Sequence, residues 1–328
     1  MTHSDPFFTT QSSLLLAAVR NINEFQFLAP VITTAASQTT QRLVVVLFSD
    51  VYNARGTHWH EVQRLLTFVY LQASMIAQQQ GKNLLDVDVL IRSLDDSTAT
   101  TEIALAAESN SVETVFLAQG DTFTVTHAAT LPSRIHSITI PLEYPQSISP
   151  SPISDKPATL YPVVALGGTF DHLHAGHKIL LSMAAWVTKE KLIVGVTDTA
   201  LLKNKAFKDE LEDIETRQSR VRKFVERFVP GLEYDIGVIS DVYGPTGSDP
   251  NIQALVVSHE TISGSNAIDA YRKKKSLPAL ETLVIDVISW NEILAPGDEK
   301  ALKDTKISST AIREWISNNK HANREPGL

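Results

Sequence analysis

The sequence predicts an α/β chain in two parts: a doubly wound parallel sheet in the C-terminal half, preceded by a smaller α/β domain. Three observations carry this. From Val163 onward, short apolar or β-branched runs alternate with longer segments of helical spacing, the pattern of a parallel sheet with right-handed crossovers. A proline-rich stretch, Leu142 to Pro162, separates this pattern from the one before it. With 328 residues, 43% of them hydrophobic and 20% charged, the chain has enough apolar side chains for two cores.

In chain order, the apolar run Leu14 to Val19 reads as one face of a packed helix. Leu43 to Phe48, Val87 to Ile91, Thr114 to Ala118 and Ile135 to Ile140 read as strands, and Glu61 to Gln80 as a helix. These belong to a first domain, residues 1–150, to which no motif assigns a role. Pro141, Pro145, Pro150, Pro152, Pro157 and Pro162, with interspersed serines, disfavour helix and central strand alike and mark the boundary. The second domain, residues 151–328, reads as strand Val163 to Leu166, helix His177 to Lys189, strand Leu192 to Thr197, helix Ile214 to Phe228 and strand Glu233 to Ile239. It continues as strand Ala254 to Ser258, helix Ser265 to Lys275, strand Leu283 to Ile288 and helix Ser309 to Asn318. In such folds ligands bind beyond the carboxyl ends of the strands. No internal repeat is visible in the sequence.

Composition removes several classes of function. There are no cysteines, so disulfides, thiolate metal sites and cysteine nucleophiles are excluded. A net charge of −8 argues against a broad phosphate-backbone surface, so nucleic acid is not an expected partner, while a local basic pocket for one phosphate ligand stays compatible. No run has the length of a membrane span, and Met1 to Thr10 lacks a secretory basic region, so a soluble cytoplasmic protein is expected.

The chemistry concentrates in Gly167-Gly168-Thr169-Phe170-Asp171-His172-Leu173-His174-Ala175-Gly176-His177, between the first strand of the second domain and a helix. Two glycines let the backbone turn beside a ligand, and the helix start offers free amides to a phosphate. His174 and His177, three apart, share a face of the first turn, where two imidazoles can donate to phosphate oxygens. A second segment, Ile307-Ser308-Ser309-Thr310-Ala311-Ile312-Arg313, puts hydroxyls at a helix N-terminus and a cation one turn inside. Read alone, it is equally a serine cap followed by a solvated arginine. Asp171 reads as a turn residue that accepts backbone hydrogen bonds. His58-Trp59-His60-Glu61 lacks a further liganding cluster nearby and reads as a non-metal segment, and Lys273-Lys274-Lys275 as a solvated helix end.

Together, the His-x-Gly-His and Ile-Ser-Ser-Thr-x-x-Arg segments resemble the nucleotidyltransferase superfamily related to class I aminoacyl-tRNA synthetases, which implies a Rossmann-like sheet. With Tyr243-Gly244-Pro245-Thr246-Gly247-Ser248-Asp249-Pro250 and Val256-Val257-Ser258-His259-Glu260-Thr261, the chain is similar to the eukaryotic phosphopantetheine adenylyltransferases from about Tyr161 to Asn319. The resemblance implies that ATP and 4′-phosphopantetheine give dephospho-coenzyme A and pyrophosphate, with Mg²⁺ arriving on ATP rather than at a dedicated protein site. It implies that Thr169 contacts the acceptor phosphate and that His174 and His177 bind ATP phosphates, His177 stabilising the transition state. It further implies that Gly168 and Phe170 lie at the nucleotide, and that Ser308, Ser309, Thr310 and Arg313 hold the β- and γ-phosphates. A family lysine after the second strand corresponds to Lys203 or Lys205, with Lys203 favoured by spacing. Where bacterial members carry arginines after the fourth strand, this chain has Ser258-His259-Glu260-Thr261, and Arg217, Arg220 and Lys273 stand as substitutes or as solvated surface.

Two other functions fit the residues: transfer to another phosphomonoester such as nicotinamide mononucleotide, or a non-catalytic scaffold for other enzymes of the coenzyme A pathway. The absence of a Lys-Met-Ser-Lys-Ser segment argues against a tRNA synthetase. Without any Gly-x-x-x-x-Gly-Lys-Ser/Thr, the chain is expected to need a separate dephospho-coenzyme A kinase as a pathway partner.

Overall fold

The computed structural model describes residues 9–95, 97–98, 100–102, 112–128, 136–140, 159–285 and 308–322, which fall into two compact units. The proline-rich boundary between 141 and 158, the positions Ile135 and Ile307, and the end of the last strand beyond Ile285 lie outside the described residues, as does Met1 to Phe8.

The first unit holds β1 (Thr10–Ala18), α1 (Leu28–Gln38), β2 (Thr39–Phe48), α2 (Trp59–Gln79), β3 (Asp86–Arg92), β4 (Thr114–Ala118), α3 (Thr122–Ala128) and β5 (His136–Ile140). All its described strand pairs are parallel, in the order β3-β2-β1-β4-β5. The run Leu14 to Val19 is therefore not a helix: it lies mostly in β1, the middle strand. Leu14 pairs with Val44 on one side and Val115 on the other, and Leu14 to Ala18 are buried. A strand buried on both faces loses the period-two alternation, and six apolar residues in a row then fit either element. Helix α1 was missed because Leu28–Gln38 is rich in β-branched residues and carries Pro30 in its first turn, where proline is tolerated. His58, with a left-handed φ of 53°, precedes α2, so the His58 to Glu61 segment forms that helix's start.

The second unit holds β6 (Tyr161–Gly168), α4 (Ala175–Val187), β7 (Thr188–Thr197), α5 (Ile214–Phe228), β8 (Glu233–Ile239), β9 (Ala254–Ser258), α6 (Ile262–Lys274), β10 (Glu281–Ile285) and α7 (Ser309–Ala322). Its sheet is also parallel, in the order β10-β9-β6-β7-β8. Numbered from its own first strand, this is the same order as in the first unit. The chain thus repeats one doubly wound topology, a repeat invisible in the residues themselves. Both sheets reverse direction beside their first strand, the place where such folds bind ligands. Among the described residues, no helix is long and apolar enough to cross a membrane.

The crossover from β8 to β9 contains a single 3-10 turn, Gly244–Gly247, in place of a helix. Tyr243 stacks on Tyr271 of α6 with ring centroids 4.2 Å apart, and a Cβ on Gly247 would meet the Tyr243 Cβ at 2.8 Å and the Tyr271 ring at 3.2 Å. Arg272 is fully buried and donates to the carbonyls of Pro278 (2.7 Å), Thr246 (2.6 Å) and Asp249 (3.0 Å). The Tyr243 to Pro250 motif is in this way pinned to the sheet by packing and by one guanidinium.

Candidate active site

The site forms where β6 ends. Gly168 leaves room for the buried Phe170 ring, since a Cβ at this position would lie 3.0 Å from it. Phe170 and His172 both take left-handed backbone angles, φ 51° and 44°, and so bend the chain sharply before α4. His174 is the N-cap of α4, and His177 lies on its first turn. Their rings stack with centroids 3.9 Å apart, and Phe170 closes on His177 at 5.3 Å. Gly176 makes room for this, because a Cβ would lie 3.2 Å from the His174 ring.

Burial holds both imidazoles in the neutral form. It depresses His174 to about 4, opposed by the Asp171 charge and aided by Lys178 and His172, and it depresses His177 well below the usual histidine value, with His174 adding to the effect. The Nδ1 atoms of both rings are buried without a hydrogen-bond partner. A buried unpaired N–H costs more than a buried lone pair, so the proton belongs on Nε2. Each ring thereby presents one neutral donor to the outside.

The second motif meets the first at Asp171. Asp171 has no exposed surface, and its carboxylate accepts from Arg313 Nη1 and from the Glu212 amide (2.9 Å). Its carbonyl accepts from the Ser309 hydroxyl (2.8 Å). Two stretches 138 residues apart are therefore joined directly. At the start of α7, Ser308 caps the Ala311 amide through its hydroxyl (3.2 Å). The amides of Ser309 and Thr310 have no acceptor among the described residues, which leaves a helix N-terminus of the kind that binds anions.

Arg313 sits differently from its expected place at the phosphates. It is 1% exposed and directed inward: Nη1 to Asp171, Nε to the Ala206 carbonyl (3.0 Å) and Nη2 to the Thr310 hydroxyl (3.2 Å). Thr310 accepts from it and keeps its own hydroxyl hydrogen, whereas Ser309 spends its hydroxyl hydrogen on Asp171. Asp171 does more than serve its own turn, and only its distant partners reveal this.

Arg217 is likewise neither solvated nor open to a nucleotide. It is fully buried and donates to four oxygens around the site. Arg220 is on the surface, its side chain 54% exposed and paired with Glu212 at 3.0 Å. Lys273 is exposed in the last turn of α6. Lys203 and Lys205 are exposed in the segment after β7, Lys203 directly following the 3-10 turn Thr199–Leu202. His172, to which no part was assigned, ties the loop to that segment through its amide on Glu212 (2.8 Å) and its Nε2 at the Glu210 carbonyl (2.6 Å). A histidine with positive φ is hard to foresee, and of its two partners only Glu212 acts through its acidic side chain, Glu210 through its backbone carbonyl.

The cytidylyltransferase-like family matches residues 165–315, the span that contains both motifs. The chain is 40% identical to the phosphopantetheine adenylyltransferase of Saccharomyces cerevisiae over 161 residues, 49% of this chain and 50% of that protein. It therefore spans about half the length of that curated relative. The phosphopantetheine adenylyltransferase of Methanopyrus kandleri is 34% identical over 157 residues, 48% of this chain and 92% of the relative. That of Thermococcus kodakarensis is 34% identical over 157 residues, covering 87% of its length.

Proposed function

We propose, of a chain that belongs to the phosphopantetheine adenylyltransferases, that its second unit transfers the adenylyl group of ATP to 4′-phosphopantetheine. The products are dephospho-coenzyme A and pyrophosphate. The observation that carries this reading is the convergence on Asp171, which ties the loop that leads to His174 and His177 to the start of α7.

In this reading an oxygen of the acceptor phosphate attacks the α-phosphorus, the bond from that phosphorus to the bridging oxygen breaks, and pyrophosphate leaves with the electron pair. The attacking oxygen is already anionic, so no general base is needed. Catalysis rests on alignment and on donors placed where charge grows. Nε2 of His174 and His177 and the amides of Ser309 and Thr310 meet the triphosphate, with the Thr310 hydroxyl beside them. Thr169 faces the acceptor phosphate, and Lys203 brings an exposed charge from the segment after β7. Magnesium enters as the counterion of ATP, held by phosphate oxygens and water. A separate kinase then acts on the product.

The purified chain incubated with Mg·ATP and 4′-phosphopantetheine is expected to release pyrophosphate and form dephospho-coenzyme A. His177→Ala is expected to lower kcat about a hundredfold or more with the fold retained, the cost of one donor to developing charge. Silence of the wild-type chain across pH and magnesium concentration, or equal turnover by His177→Ala, would remove this reading.

A further inference from the structure

Arg217 touches neither the stacked histidines nor α7, yet it joins four segments around them. Its Nη1 donates to the carbonyls of Thr169 (2.8 Å) and Thr197 (2.9 Å), its Nε to the carbonyl of Glu212 (3.1 Å) and its Nη2 to the hydroxyl of Thr199 (3.2 Å). Thr169 belongs to the motif loop, Thr197 ends β7, Thr199 opens the segment that carries Lys203, and Glu212 leads into α5. All four acceptors are neutral oxygens. The planar fork of the guanidinium fixes the directions of all four bonds, and an apolar replacement would leave three carbonyls without this donor.

The bond to Thr169 has a geometric consequence. No peptide in the described chain is cis, and in a planar trans peptide the carbonyl and the following N–H point in opposite senses. With the Thr169 carbonyl drawn onto Arg217, the Phe170 amide is turned the other way. It has no acceptor among the described residues, and the left-handed φ of Phe170 keeps it out of any regular ladder.

We infer that Arg217 is a positioning residue for the transfer step: by holding the Thr169 carbonyl it aims the Phe170 amide at the phosphates, and through Thr199 it ties this aim to the Lys203 segment. The inference rests on the adenylyl-transfer reading of the site. Arg217→Lys keeps a cation but cannot reach four acceptors in fixed directions. Thr199→Val, at an exposed position, removes only the Nη2 acceptor.

The test is steady-state kinetics of the full chain and both variants, with thermal unfolding measured alongside. Wild-type turnover comes first; an inactive wild type sinks the function itself, whereas an active one isolates the role of Arg217. The expected result for Arg217→Lys is a kcat about tenfold lower with KM for ATP within about twofold, the pattern of an interaction made in the transition state. Unchanged kcat, or a fall that only tracks lost folded protein, would overturn the inference. Should Arg217→Lys not fold, Thr199→Val decides: a kcat reduced about two- to threefold at an unchanged unfolding temperature supports the role, and wild-type kcat overturns it.

Discussion

Two neutral imidazoles stacked at 3.9 Å cannot easily both be charged, and this gives the site a pH signature. Because His174 titrates near 4 in the fold and near 6.5 when unfolded, the unfolded chain binds more protons between these values. Stability is therefore expected to be intact above about pH 6.5 and to fall as pH drops toward 4, by at most ~3 kcal/mol from this residue. Urea unfolding at pH 7.5 and pH 5 checks the direction; equal midpoints would contradict it. A polyphosphate favours the charged ring, so ATP binding at pH 6 to 7 is expected to take up protons, seen as a dependence of the calorimetric binding enthalpy on buffer ionisation. The histidines, the hydroxyls and the arginine of the two motifs were legible in the sequence because each motif is local. Their partners were not. That Arg313 binds Asp171, and that Arg217 binds Thr169, depends on contacts between segments that no local spacing encodes.

The elements are held in register by small residues. Gly167 pairs with Gly195 and Gly195 with Gly237, a row of glycines across β6, β7 and β8. Ile239 lies over part of this row: a Cβ at Gly195 would come within 2.7 Å of its Cγ2, and one at Gly167 within 3.4 Å of its Cδ1. Gly195→Ala is expected to destabilise the second unit by about 1–3 kcal/mol, the usual cost of overpacking, and Ile239→Ala, which removes the Cγ2 methyl, to relieve part of that cost in the double mutant. Additive effects in the double mutant would contradict this packing. Asp171→Asn, which leaves Arg313 buried without its counter-charge, is expected to cost about 3–5 kcal/mol in urea unfolding and to loosen α7; a change below about 1 kcal/mol would show that the pair does not hold the helix. Most strands and helices of the second unit were readable because their periodicity is long and their turns are marked. Helix α4 begins two residues earlier than its apolar pattern suggests, since His174 caps it without a side-chain bond that sequence could betray. In the first unit the central strand β1 read as a helix, for want of alternation.

At the scale of the whole chain, one topology occurs twice, but the two switch points differ. In the first unit the buried Asp121 side chain, just after β4, accepts the amide of Ala18 at the end of β1 (2.6 Å), the place where the second unit has its glycine turn. The second unit holds the described residues of the span, 165–315, that the cytidylyltransferase-like family matches. The shared topology could not be read from the sequence because parallel strands constrain burial rather than residue identity. A chain of residues 159–328 is expected to fold and to keep kcat within about threefold of the full protein, as for a self-contained domain. A folded but inactive fragment would assign the first unit a part in catalysis. The most direct measurement is a crystal structure with a non-hydrolysable ATP analogue and magnesium. Phosphate oxygens are expected within hydrogen-bond distance of Nε2 of His174 and His177 and of the Ser309 and Thr310 amides, with Arg313 still on Asp171. A nucleotide bound away from these four donors would contradict this placement.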